Sequence, residues 1–412
     1  MNRRSLLLGG SALAGAAAFA AWRAWPEQGF WNPCRVGLPR QLARHELVTA
    51  DWEGLDPERV WDCHAHLAGT GDSSSGITIN PNMESVLNPA NYARRLFFLN
   101  AGCAYDAPGG SVDRAYVRRM LNLIDGMRRG AKLLLYAFDR AYGEDGKRQD
   151  ALTSFYVPDG YARETARENP RYFEWAASIH PYRADCLAAL EQAKRDGARA
   201  VKWLPGAMGM DPASPRCDRF YEAAAKLNLP IISHAGLERA VLGTDTQDFG
   251  NPLRLRRALD AGVRVVVAHC ASMGQDRDLD KGEYGPYLDS FLLFTRLMES
   301  NKYEKTLFGD ISAMTQVNRA GPALAQVVER EDWHPRLLNG SDYPLPGVMP
   351  VFSVDYLVSL GLVQASAAPV LKEIRAHNPL LFDFVLKRHL RSNGKALSRN
   401  VFETRAFFDQ HL

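Results

Sequence analysis

The chain has 412 residues, 46% of them hydrophobic, with 50 lysines and arginines against 47 aspartates and glutamates. That length supports a large core, and α/β barrels of this size occur as one domain. A net charge of +3 without a basic block excludes an electrostatic footprint for nucleic acid.

The chain opens on Arg3-Arg4-Ser5-Leu6-Leu7-Leu8, followed by an apolar run to Ala21 with small residues at Ala18-Phe19-Ala20. Residues 1–25 are therefore expected to be an export signal of the twin-arginine type, directing the protein to the periplasm. The alternative is an N-terminal membrane anchor, to which Trp22 and Trp25 would add interfacial aromatics. No later stretch is apolar for the ~18 residues of a second span. Residues 26–57 form a lead-in without a clean period.

From residue 58 short runs of Val, Ile and Leu alternate with stretches at helical spacing, the rhythm of βα units around a parallel sheet. Strands are expected at 60–64, 132–138, 173–180, 198–204, 230–234, 263–269, 306–312 and 336–342, and helices at 185–196, 217–227, 252–261 and 290–301. Eight such units close a (β/α)8 TIM barrel, here over 58–392 with a C-terminal extension at 393–412. Two long insertions break the rhythm. Residues 67–131 hold a Gly/Ser-rich stretch at 69–76 and two helices; residues 139–171 are polar and turn-rich. Such insertions shape pockets or oligomer contacts, so a homo-oligomer stays open. Residues 366–390 read as helical with a break at Asn378-Pro379.

The chemistry starts at Asp62-Cys63-His64-Ala65-His66. Residues two apart on a strand share a face, so His64 and His66 converge, and paired imidazoles are metal ligands. His234, His269 and Asp342 each stand at the C-terminal end of an expected strand, where a barrel gathers its active site. Lys202, His180, Arg183, Trp203, Arg239 and Tyr343 stand near the same mouth. Arg183 and Arg239 are read as carboxylate contacts or solvated loop residues, Trp203 and Tyr343 as pocket wall or core. Asp276, Asp278 and Asp280 loosely imitate a calcium loop but lack its glutamate, and are read as a solvated acidic loop. The six cysteines form no CxxC pair, which argues against thiolate zinc; Cys63 and Cys270 read as small buried side chains.

DCHAHL at Asp62, SIHPY at Ser178, ARAVKWLP at Ala198, PIISHAG at Pro230, VVVAHCAS at Val265, LLNGSDYP at Leu337 and AHNPLLF at Ala376 resemble, in order and spacing, the amidohydrolase superfamily. Within it they are similar to the group that includes aminocarboxymuconate semialdehyde decarboxylase. The resemblance implies that His64, His66, His234 and Asp342 bind a divalent metal, most simply Zn2+. It implies that Asp342 also takes a proton from the attacking water. His269 then binds a second metal or the substrate. Lys202 is read as a carboxylated bridge between two metals, as a substrate contact, or as structural.

The leading expectation is a metal-dependent hydrolase acting on an amide, ester or lactone carbonyl of a small molecule. The alternatives are a metal-dependent lyase, a decarboxylase or hydratase of a small carboxylic acid, and a non-catalytic exported barrel that binds metal or ligand. Substrate choice is assigned to the loops at 67–94, 207–218, 237–251 and 271–287, which carry no readable code.

Overall fold

A computed structural model describes residues 26–105, 110–241 and 246–410; the expected leader at 1–25 lies outside them. Eight parallel strands carry the barrel: β1 (Trp61–His66), β2 (Lys132–Tyr136), β3 (Phe173–Ala176), β4 (Val201–Trp203), β5 (Ile231–His234), β6 (Val265–Ala268), β7 (Leu307–Asp310) and β8 (Leu337–Leu338). Each pairs with its successor in sequence order from β1 to β3 and from β4 to β8. A parallel bridge between Ala177 and Val201 joins β3 to β4. Bonds from Cys63 N to Asn339 O (3.0 Å), Asp342 N to His64 O (2.8 Å) and His66 N to Tyr343 O (2.8 Å) join β8 back to β1. Gly340 permits that approach, since a Cβ there would lie 2.5 Å from the Cβ of His64.

One interior cluster holds Trp61, Cys63, Leu134, Tyr136, Ala176, Ala200, Ile232, Val266, Phe308 and Leu338. The period of two then decides which polar residues face inward above it. Lys202 follows Ala200, His234 follows Ile232, and Asp310 follows Phe308. On β1 strict alternation after Trp61 and Cys63 would turn both histidines outward. The register against β2 shifts between Asp62 and Ala65, and this bulge re-aims His64 and His66 into the barrel, a usual service of bulges beside active sites.

Most of the longer helices bury one face, while Pro379–Arg388 is buried along nearly its whole length. Val112–Asp125 is capped by the Ser111 hydroxyl and buries Ala115, Tyr116, Arg119, Met120 and Leu123, the spacing of an amphipathic helix. The stretch at 139–171 differs from its turn-rich reading. It contains a helix, Asp159–Glu168, whose buried side is only Ala162, Thr165 and Ala166, too thin an apolar stripe to read. It also contributes Phe155–Tyr156 to a two-stranded ribbon with Thr78–Ile79.

Of the expected C-terminal extension, residues 393–410 are built into the barrel. Phe407 and Phe408 join the interior cluster from below, and Thr404 Oγ1 donates to Trp61 O at 2.6 Å. The acidic loop is ion-paired instead of solvated: Arg296 binds Asp278 and Asp280, and Arg256 binds Asp280. Cys34 and Cys103 form a disulfide, a pairing the cysteine spacing did not suggest; Cys63 and Cys270 are free and buried. No helix among the described residues is long and apolar enough to cross a membrane.

Candidate active site

The polar side chains above the interior layer converge on Asp342. His64 Nε2 lies 3.3 Å and His66 Nε2 3.2 Å from Asp342 Oδ1, and the two imidazole nitrogens are 3.2 Å apart. Asp342 Oδ2 lies 3.8 Å from His269 Nε2. His269 is the first residue beyond β6 and Asp342 the fourth beyond β8. Both hold left-handed backbone, with φ of 56° and 60°. That conformation is uncommon for residues with a Cβ and concentrates at functional sites.

The opposite ring nitrogens are held by other side chains. His64 Nδ1 donates to Asp310 Oδ2 at 2.9 Å. His269 Nδ1 faces Ser312 Oγ at 2.8 Å, and that hydroxyl donates to Asp310 Oδ1. His234 Nδ1 faces Glu238 Oε2 at 3.3 Å. Partners of this kind set the tautomer that leaves Nε2 free for a metal. His234 Nε2 is buried and has no hydrogen-bond partner among the described residues, as expected of a nitrogen meant for a ligand.

These residues fit a divalent ion. Two ligands bonded at ~2.0–2.1 Å to a tetrahedral ion stand about 3.3 Å apart, the spacing within His64, His66 and Asp342. Among the described residues His64, His66 and Asp342 stand close enough to share a metal ion, and so do His64, His269 and Asp310. In the second group the His64–Asp310 contact is a hydrogen bond that orients the first.

Burial and neighbouring charge set the protonation states. Burial and the Lys202 charge push His64 down to about 4. Burial, with Arg319 nearby, pushes His234 and His269 down as well. Burial alone would raise Asp342, but His64, His269 and the His66 hydrogen bond hold it well below the carboxylate range. The Lys202 amine, 1% exposed, is pushed down by burial. It lies 3.2 Å from His64 Nε2 and 5.0 Å over the Tyr136 ring.

The amidohydrolase family model matches residues 61–349. This chain belongs to the amidohydrolase family. No curated protein matches it. Among solved structures, an uncharacterised TIM-barrel protein from Bordetella bronchiseptica is 14% identical, over 76% of this chain and 98% of its own, with a TM-score of 0.46. 5-Carboxyvanillate decarboxylase from Sphingomonas paucimobilis is 12% identical over 79% and 98%, TM-score 0.45. 4-Oxalomesaconate hydratase from Rhodopseudomonas palustris is 12% identical over 80% and 98%, TM-score 0.41.

In this amidohydrolase His64, His66, His234, His269, Asp342 and Lys202 line one cavity. Five other residues named from the sequence stand apart from its lining. His180 is fully buried, with Nε2 on Met208 O and Nδ1 accepting from Tyr182 N. Arg183 is paired with Asp139 and Asp185. Trp203 alternates outward from Lys202, donates to Ile179 O and packs on Phe220. Arg239 is exposed, while its neighbours Glu238 and Ala240 line the cavity. Tyr343 is core, edge-on to Tyr116.

The sequence reading missed Asp310, Ser312, Glu238 and Arg95. Asp310 lies inside the expected strand 306–312, which ends on Ser312, so a search of strand ends passes over it; the observed strand stops at Asp310. Arg95 gave no signal. It lies on an inserted helix, Pro89–Ala101, and lines the cavity among Met83, Phe98 and Leu99.

Proposed function

We propose that this amidohydrolase is a metal-dependent hydrolase that cleaves an amide, ester or lactone carbonyl of a small substrate. The observation that carries the reading is the triangle of His64, His66 and Asp342, with the unpartnered His234 Nε2 lining the same cavity. The nitrogen-rich donors favour Zn2+. When bound, a divalent ion supplies an acidified water and polarises the substrate carbonyl.

The chain's own groups do the rest. Asp342 stays ionised and offers Oδ2 to the proton of the attacking water, then passes that proton to the leaving group. His269 Nε2, facing Oδ2, orients the substrate. Ile79, Met83, Phe98, Phe138, Phe155 and Val241 wall the cavity and exclude bulk water. Asp342→Asn is expected to lower turnover by about 10³-fold or more, with the melting temperature and circular dichroism retained; surviving turnover would overturn the mechanism.

A lyase acting on a small carboxylic acid is the second reading, and Arg95 favours it. Its Nε is buried without a hydrogen-bond partner, and Nη2 makes a 3.4 Å contact to the half-exposed Glu84. A guanidinium so placed suits a carboxylate. Release of CO2 from a candidate acid would replace hydrolysis for that substrate. Metal content of protein purified without chelator separates the roles of Lys202. About two ions per chain assign it to a carboxylated bridge, and about one leaves it as a substrate contact. We also place the enzyme outside the cytoplasm, a reading supported by the Cys34–Cys103 disulfide, since such bonds persist in oxidising compartments.

A further inference from the structure

A band of apolar side chains is exposed along the helix Pro89–Ala101. Trp31 is 51% exposed, Tyr105 50%, Val86 70% and Leu87 88%. The Trp31 ring stacks on Phe97 at 5.4 Å and lies 6.3 Å from Tyr105. Val86 and Leu87 precede the other end of the same 13-residue helix, about 20 Å along it. The helix is itself poorly covered: Tyr92, Leu96, Phe97 and Phe98 are only partly buried. Scattered apolar residues on a surface need no explanation, but a run of them marks a contact.

What covers the band follows from the chain around it. The 25 residues before Pro26 carry Arg3, Arg4, the apolar run at 6–21, Trp22 and Trp25, and they join the fold five residues before Trp31. Trp22 and Trp25 follow Ala20, so they remain whether or not a leader is cut there. The joining segment is clamped onto the helix. Asn32 N donates to Asn100 Oδ1 at 2.8 Å, Asn32 Nδ2 to Gly347 O at 3.2 Å, and Cys34 is bonded to Cys103. The stretch from Asn32 to Cys34 is thus fixed against the helix, while Glu27 and Gln28 before it bond Ser353 and Lys372. Charge agrees. Arg35, Arg40 and Arg44 are exposed, and the one acid between Pro26 and His45, Glu27, is engaged by Lys372 at 2.8 Å. Tryptophan, exposed aliphatics and arginine together suit the interface of a bilayer with anionic lipid.

We propose that this band docks on the surface of an anionic lipid bilayer. Trp31, Val86 and Leu87 enter the headgroup region, and the three arginines lie over lipid phosphates. Arg95, Phe98 and Leu99 of the same helix line the cavity, so docking sets the mouth of the active site at the membrane.

The test is flotation of the full chain with phosphatidylcholine vesicles, with and without phosphatidylglycerol. The wild-type protein is expected to float with the phosphatidylglycerol vesicles, less so as salt rises. The double variant Val86→Ser/Leu87→Ser keeps residues 1–25 intact and alters only exposed side chains. It is expected to bind roughly tenfold more weakly, with an unchanged melting temperature. Equal flotation of the double variant would assign binding to the N-terminal segment alone and overturn the proposal. So would a wild-type protein that ignores both vesicles, including the case where sedimentation shows an oligomer that the double variant breaks, because a second copy would then cover the band.

Discussion

At His180 both ring nitrogens are already committed, Nε2 to Met208 O at 3.0 Å and Nδ1 as acceptor from Tyr182 N at 3.1 Å. A second proton on Nδ1 would break the Tyr182 bond, and burial pushes the group down to about 3. A histidine depressed in the folded state contributes stability that is full above its unfolded value near 6.5 and is lost as pH falls from there toward 3. His180→Gln keeps one donor and one acceptor without a titratable proton. It is expected to cost about 1–2 kcal/mol at neutral pH, and to lower the slope of unfolding free energy between about pH 6 and 4 by up to ~1.4 kcal/mol per pH unit. Denaturant titrations of both proteins across that range check it, and parallel slopes would sink it. The same residue shows where reading by residue type stops. His180 and His234 both follow apolar strands. What separates them is whether a backbone carbonyl or an empty cavity faces Nε2, and the local sequence does not carry that. The metal-ligand candidates were legible because strand ends in a barrel meet at one mouth. Of their supports, Asp310 and Ser312 act across strands and Glu238 reaches His234 from the loop four residues on, so each is identified only once its histidine is in place.

The strands were legible because each is a short apolar run bounded by turns: seven of the expected positions contain one, and the first, 60–64, overlaps a strand that runs on to His66. Their ends were less so: β8 spans only Leu337–Leu338, and Asp342 is reached through left-handed backbone. The insertions hid more. The stretch at 69–76 looks pliant, yet the buried Asp113 accepts five hydrogen bonds from it, from Thr70 N, Gly71 N, Ser73 N and the hydroxyls of Ser73 and Ser75. Asp72 in return binds Ser111 Oγ and Val112 N at the start of the helix that carries Asp113. Loop and helix thus cap each other. Gly69 lines the cavity and packs on Asp113 so closely that a Cβ would lie 2.1 Å from Oδ1. Asp113→Ala strands the five donors and is expected to destabilise the protein by about 3 kcal/mol. Amide exchange at 70–76 should quicken while metal content holds. An unchanged exchange pattern there would show that the loop is held by something other than this carboxylate.

For the molecule as a whole, the barrel's outer limits lay beyond reading by period. Residues 26–57 and 393–412 lack a repeat, yet Leu42, Val48, Trp52 and Leu55 join the core, and Phe407 and Phe408 close the barrel floor. Burying a phenylalanine is worth about 2–3 kcal/mol, so the floor is part of the fold's stability. The lead-in is held by Trp52 stacked on Phe384 at 4.5 Å, by Arg119 Nη1 donating to Arg35 O at 2.8 Å, and by the Cys34–Cys103 bond. That bond closes a separation of 69 residues. On the chain-entropy account, a loop of this length removes about 4 kcal/mol of freedom from the unfolded chain. The paired substitution Cys34→Ser/Cys103→Ser is therefore expected to lower the unfolding free energy by up to about 4 kcal/mol, through a lower denaturant midpoint. Because neither Cys34 nor Cys103 lines the cavity of the candidate metal ligands, metal content should stay near the wild-type value. A thiol count on denatured, unreduced protein tests the premise first. Four free thiols, from Cys63, Cys186, Cys217 and Cys270, support the bond. Six would mean that the lead-in is held by packing and hydrogen bonds alone, and the paired substitution should then leave the midpoint almost where it was.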